Sequence, residues 1–575
     1  TMIARRAKKM NNIFKMTYHK LFKSILFIIP CFLGFTQSYA QTLDTTTIVT
    51  VKPYSPTLSD AFKIKDNPSI QDTDKIVPTL KYSFMNKQVP VAFEINEIKP
   101  AKIKGEPLVK LYSGYGKLGF GTNKTPLAEL YFNSTRSKNF SYGFYGKHLS
   151  SSGISSIEYS DFSDNHISLF GKRFLKDFTL YAKFDYDRNV IHYYGFPENS
   201  TADINDKGLL KQRFNKFGGT ASLTRNFTDS AQFDYNFDIN YHHIIDLLDV
   251  SENNINIAGS LSKYHKNELY AIDLITNFDK LNNSLNQDKT LIVGAKPYIK
   301  TTADKWQFKV GLGLFINQMD KTKFYFYPEA EFKYDVVQQI IIPYVGITGG
   351  VTPNNLNTFY TDNPFINTST LGIANTNQKY NIYAGIRGSI SKHLTFNTSF
   401  SKQKLETVPL YVKDVSNVLE NQFTAIYDTL ALTKISGELA YQKLEKFKII
   451  LAGDFYGYTP ENEIKAWHRP DLKISLNGIY DLSDKIIVKA DFFFINKQFA
   501  KVYTTFTDAS NQIITTPEAV ELKGIFDANL GFEYRYTKKL SAFIQFNNIA
   551  AAKYQKWQDY RIQRFNVLGG LTYSF

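Results

Sequence analysis

From Leu108 to Phe575 the sequence alternates apolar and polar side chains almost without pause, in runs longer than an ordinary soluble sheet uses. Phe178, Leu180, Ala182, Phe184 and Tyr186 oppose Thr179, Tyr181, Lys183, Asp185 and Asp187. Phe233, Tyr235, Phe237, Ile239 and Tyr241 oppose Asp234, Asn236, Asp238 and Asn240. Phe324, Phe326, Ala330 and Phe332 oppose Tyr325, Tyr327, Glu329, Glu331 and Lys333, and from Leu522 to Tyr534 only Ile525 breaks the pattern. Successive strand side chains point to opposite faces, so each run makes one apolar and one polar face. The runs are nine to thirteen residues long. Sandwich strands are typically about 5–6 residues, whereas a tilted strand crossing a bilayer needs about 9–11. Lipid offers no partner to an open sheet edge, so such strands must close into a barrel with the apolar face outward.

Connections alternate as well. Ten short polar turns lie near Arg136–Lys138, Lys176–Asp177, Thr228–Ser230, His265–Asn267, Thr302–Asp304, Val336–Gln338, Ser391–Lys392, Leu444–Lys446, Leu482–Asp484 and Thr537–Lys539. Eleven connections between them are mostly longer, with 188–213, 350–378, 403–433, 498–520 and 548–563 the most extended. Short turns on one side and long loops on the other are the habit of membrane barrels. The count predicts an all-β, transmembrane antiparallel β-barrel of about 22 strands, with both mature termini on the short-turn side.

The last strand carries a further signal. Phe565, Val567, Leu571, Tyr573 and Phe575 fall on one face, and Phe575 is the last residue of the sequence. A closing strand with a terminal aromatic resembles the C-terminal signature of Gram-negative outer-membrane β-barrel proteins. That resemblance implies contact with outer-membrane lipids and insertion by the barrel-assembly machinery. It also implies a bacterial outer-membrane location with periplasmic termini.

Residues 1–40 read as a secretory signal peptide. Lys15, Lys20 and Lys23 precede the apolar run Ile25–Phe35, and Thr36-Gln37-Ser38-Tyr39-Ala40 offers a cleavage site. The alternative, a lipoprotein leader ending at Cys31, meets Pro30 where a small residue is expected. Cys31 is the only cysteine, so a cleaved chain has neither disulfides nor thiolate metal ligands. Removing the seven basic residues of the leader lowers the net charge from +15 to +8, and no basic cluster marks a nucleic-acid partner. The mean hydropathy of −0.29 hides the apolar face in its average. Aromatics at 15% suit the interfacial girdles of a barrel.

Asp44, Thr45, Thr46, Thr47, Ile48, Val49, Thr50 and Val51 form a β-prone stretch able to add a strand to a partner's sheet edge. They resemble the TonB box of TonB-dependent receptors, which an inner-membrane energy-coupling complex pulls. The barrel size and Asn547-Asn548-Ile549 with Lys553-Tyr554 and Trp557 resemble the same family. Residues 41–107 are punctuated by prolines from Pro53 to Pro107 and are about half the length of that family's plug domain, whose motifs are absent. This departure leaves three readings open: an uptake protein with TonB as partner, a non-transporting structural subunit of an outer-membrane assembly or secretion complex containing other outer-membrane proteins and lipoproteins, and a passive channel.

No enzyme or cofactor site emerges. Gly114, Gly116 and Gly119 match a dinucleotide pattern but lie inside a strand, where no helix follows to hold phosphate. His242-His243 lacks a carboxylate pair at ligand spacing and reads as polar rim, and no Gly-x-Ser-x-Gly elbow occurs.

Overall fold

The computed structural model describes residues 111–197, 207–225, 232–284, 287–507 and 513–575. The leader, the stretch Asp44–Val51 and the proline-rich segment lie outside these residues. The described chain is a closed barrel of 22 antiparallel strands, from Gly114–Gly121 to Asn566–Ser574. Each strand pairs with its sequence neighbour around the ring. Ile486–Ile495 pairs with Ile525–Arg535 by skipping a hairpin. Closure comes from the first strand pairing with the last, from Tyr115 opposite Ser574 to Gly121 opposite Leu568. Reciprocal bonds of 2.9 Å between the backbones of Gly114 and Phe575 extend that seam. Every strand of the ring has a partner on each side, as a lipid setting requires.

The alternation read from the sequence runs as expected. Leu180, Ala182 and Phe184 point outward and are exposed, while Thr179, Tyr181, Lys183 and Asp185 face the lumen and are half-buried. Phe237, Ile239 and Tyr241 repeat this, and Phe324 and Phe326 are 77% and 63% exposed. Side chains that apolar and that exposed across the whole outer wall suit hydrocarbon, not water. Nine of the ten expected short turns sit where strands reverse; the tenth, Thr228–Ser230, lies outside the described residues. Non-glycine residues in the left-handed region, Lys266, Ser483 and Asp484 among them, sit in these turns.

The long connections depart from expectation in two places. Residues 403–433 are mostly strand: Leu394–Lys413 and Phe423–Lys443 run past the rest of the wall, leaving only 414–422 as loop. A bulge between Leu405 and Val408, with Thr407 at φ 56°, shifts the register there. The shift brings Leu405, Val408, Leu410 and Val412 onto one face, against Trp467 and Ala466. On the opposite face Tyr411 packs against Phe359 and Trp557. With both faces buried the alternation disappears, so the stretch reads as irregular. Residues 498–520 likewise hold a hairpin of their own, Gln498–Thr507 with Ile513–Leu522, outside the barrel sheet.

Candidate functional site at the loop end of the barrel

The most built part of the molecule is the mouth where the long loops gather. Loop 353–375 carries the helix Leu356–Asp362. Asn355 caps it reciprocally: its side chain accepts the Thr358 N–H at 2.9 Å, and the Thr358 hydroxyl accepts the Asn355 N–H at 2.9 Å. This leaves Leu356, Phe359 and Tyr360 on one buried face, at helical spacing.

That face meets side chains from around the ring. Tyr360 stacks on Phe214 at 4.6 Å between ring centroids. Phe365 stacks on Tyr560 at 3.6 Å. Phe423 lies 5.7 Å from Trp557, and Ile244 and Leu281 complete the same apolar cluster. Phe214 and Phe423 belong to the sixth and sixteenth strands of a ring of 22, nearly opposite walls. One continuous cluster joining opposite walls crosses the mouth, so the loops form a cap.

Buried hydrogen bonds latch the cap. Tyr193 donates its hydroxyl to the Ile366 carbonyl at 3.1 Å, and Asn421 Nδ2 donates to the Tyr193 carbonyl at 2.7 Å. The Tyr560 hydroxyl donates to the Asn421 carbonyl. Asp246 accepts from Leu248 N–H, Val250 N–H, Gln212 Nε2 and the Thr368 hydroxyl. Burial still holds the Asp246 carboxyl above its ordinary pKa, against the pull of these four donors. Glu252, at the start of the eighth strand, accepts the Leu356 and Asn357 N–H groups and so ties the helix to the wall.

A second buttress forms around loop 461–471. Trp467 is fully buried and donates Nε1 to Glu463 at 2.8 Å, and Lys501 of the outer hairpin pairs with Glu463 at 2.9 Å. His468 donates Nδ1–H to the Tyr411 carbonyl at 3.0 Å and accepts the Gln558 N–H on Nε2 at 3.4 Å. This pattern fits the neutral ring, and burial lowers its pKa to about 4.

Beside the cap lies a polar pocket of about 370 Å³, lined by Tyr194, Asp527, Asn529, Asn547, Gln563 and Asn566 among others. Its amides offer donors and acceptors, and Asp527 adds a carboxylate.

The residues singled out from sequence are scattered. Phe565, Leu571, Tyr573 and Phe575 are exposed on the outer wall at the closing seam, with Val567 on the same face. Asp44–Val51 lie outside the described residues. His242 and His243 face opposite sides, His242 bonding Glu252 and His243 bonding Asn253. Gly114, Gly116 and Gly119 lie in the first strand. Among the described residues no three His, Cys, Asp or Glu side chains gather as metal ligands. Sequence reasoning missed Glu252, Asp246, His468 and the cap aromatics. Only the weak grouping of Asn547, Tyr554 and Trp557 pointed toward them.

No protein-family model matches the sequence, and no curated protein does. Solved structures match the barrel. The pyoverdine outer membrane receptor FpvA from Pseudomonas aeruginosa PAO1, bound to pyoverdine, shares 14% identity over 81% of this chain and 78% of its own, with a TM-score of 0.58. The FrpB iron transporter from Neisseria meningitidis, F3-3 variant, shares 10% over 81% and 82%, with a TM-score of 0.63. The ferric-catecholate import receptor Fiu from Escherichia coli K12, in its closed form, shares 10% over 80% and 82%, with a TM-score of 0.58. The chain is thus structurally similar to the 22-strand barrels of TonB-dependent receptors, and at this identity the likeness is one of fold.

Proposed function

We propose that this chain, a 22-strand barrel of the TonB-dependent receptor fold, sits in a bacterial outer membrane with both termini in the periplasm and takes part in transport across it, without catalysis. The observation that carries the reading is the cap, a single apolar cluster joining nearly opposite walls. A passive channel needs an open mouth, whereas a capped one suits a regulated path in which loops move to admit a solute. In this reading Asp44–Val51 is the coupling segment drawn by TonB, the outer wall meets outer-membrane lipids, and Phe565–Phe575 is read by the barrel-assembly machinery. Deleting residues 44–51 tests it. The barrel should still insert and accumulation of a growth-limiting solute should stop; undiminished uptake overturns the reading.

One observation favours a second reading, a structural subunit of a larger outer-membrane assembly. The hairpin Gln498–Leu522 pairs only with itself and stands outside the barrel sheet. Such an element is a ready docking surface for another outer-membrane protein or lipoprotein. Extraction in mild detergent through a tag in loop 414–422 separates the two: stoichiometric outer-membrane partners support the subunit, and a lone barrel supports transport.

A further inference from the structure

Glu252 and Asp279 lie on neighbouring strands at the loop end, and both are almost fully buried, at 0% and 1% exposure. In register, Asn254 stands opposite Asp279, and Asp279 stands opposite Thr290 on the next strand. Glu252 and Asn256 flank Asn254 on the same face. Two buried carboxylates this close must be compensated, because an unpaired buried ion costs several kcal/mol.

What the protein supplies is incomplete. His242 Nε2 lies 2.9 Å from Glu252 Oε1, and Glu252 also holds the Leu356 and Asn357 N–H groups. Asn254 Nδ2 donates to Asp279 Oδ1 at 3.0 Å. Among the described residues, no lysine or arginine forms an ion pair with either carboxylate; the nearby Lys216 reaches toward Asp187. Two buried oxygens on residues paired in register have no hydrogen-bond partner: Asp279 Oδ2 and Thr290 Oγ1. Thr290 is itself only 3% exposed. Unsatisfied buried oxygens are rare, and a net negative cluster of them wants a cation.

We propose that Glu252, Asp279 and Thr290 hold a calcium ion in the barrel wall, and that the ion locks loop 353–375 in place through Glu252. Every donor is a hard oxygen, which excludes the nitrogen and sulfur preference of zinc. Calcium accepts a mixed, irregular set of carboxylate and hydroxyl oxygens, whereas magnesium demands a compact octahedron and keeps its waters. Thr290 is a neutral donor, so the site differs from the clusters of three His, Cys, Asp or Glu side chains absent among the described residues. Two carboxylates place the affinity at about 10⁻⁴–10⁻³ M, the range of extracellular calcium modules. The inference is independent of the transport reading, since a structural subunit would hold the same ion.

The test is equilibrium ⁴⁵Ca²⁺ binding to the full chain in detergent after stripping with EDTA. One saturable site is expected. Asp279→Asn should weaken it at least tenfold and Thr290→Val about threefold, and calcium should slow proteolysis within 353–375. Heat-modifiable gel mobility shows that each variant has a closed barrel; if Asp279→Asn fails to close, Thr290→Val decides. No saturable binding to the unmodified chain, or binding unchanged in the closed variants, overturns the proposal and leaves the two carboxylates to share a proton.

Discussion

His468 and Trp557, carried by different loops, pack ring against ring with centroids 5.0 Å apart at the centre of the cap. The contact couples a titratable group to a spectroscopic one. Of the three tryptophans, Trp557 is buried in the cap, Trp467 in the buttress beside it, and Trp306 is exposed on the barrel wall. Tryptophan emission therefore reports mainly on the cap and its buttress.

Acid should loosen it. The folded His468 ring titrates near 4, against an ordinary value of 6.5 once its loop is released. The released state takes up a proton first, so stability is full above about pH 6.5 and falls as the pH drops toward 4, by about 3 kcal/mol in total. The raised carboxyl of Asp246 acts with the opposite sign, its cost fading as pH falls through its own folded value. The expected result is a red shift of emission between pH 6.5 and 4 that His468→Gln greatly reduces. An identical titration in the variant would refute the assignment.

Tyr560 should matter through both its ring and its hydroxyl. Tyr560→Phe keeps the stack on Phe365 and strands the Asn421 carbonyl, at about 1–2 kcal/mol. Tyr560→Ala also opens a cavity, at about 3–5 kcal/mol. Limited proteolysis of loops 353–375 and 414–422 should rank the variants in that order while the barrel stays heat-modifiable. Equal cleavage of both variants would mean that the ring packs without consequence.

Closure of the ring should depend on Gly570 and not on Gly116, which faces Tyr573 across the same seam. A Cβ at Gly570 would sit 2.0 Å from the Leu118 carbonyl oxygen, a backbone atom with nowhere to go. A Cβ at Gly116 meets nothing within 4 Å. Gly570→Val should abolish the heat-modifiable barrel and Gly116→Ala should preserve it. A closed Gly570→Val barrel would show that the strands can part by that much.

The two faces of one strand should answer differently to charge. Ile239 is exposed on the outer wall, and Asn240 faces the lumen, where it accepts from Thr220. Ile239→Arg should destabilise the inserted barrel by about 2–4 kcal/mol, as expected near a bilayer midplane. Asn240→Arg should cost about 1 kcal/mol, one hydrogen bond's worth. Urea unfolding in lipid vesicles measures both, and equal losses would contradict a lipid-facing Ile239.

Strand by strand, the barrel was legible because its determinants are local. A period of two places Phe178, Leu180 and Phe184 on one side whatever surrounds them, and polar turns such as Ser483-Asp484 mark each reversal. The reading lapsed at Glu406–Thr407, where a bulge changes the parity and both faces become buried. There the residue pattern answers to neighbours distant in sequence.

The cap was not legible for the same reason. Glu252 looks like any lumen-facing strand residue until Leu356, far along the chain, lands on it. Phe214, Phe365, Phe423 and Tyr560 are unremarkable aromatics in a chain rich in them, and only ring closure brings them together. Alternation and turn chemistry, each written in a few consecutive residues, thus determined that this protein is an all-β barrel with its apolar face outward. Which loops cross the mouth, which carboxylates are buried, and where the lumen closes were decided by the tertiary structure. Those contacts join residues hundreds of positions apart, and only the closed ring makes them neighbours.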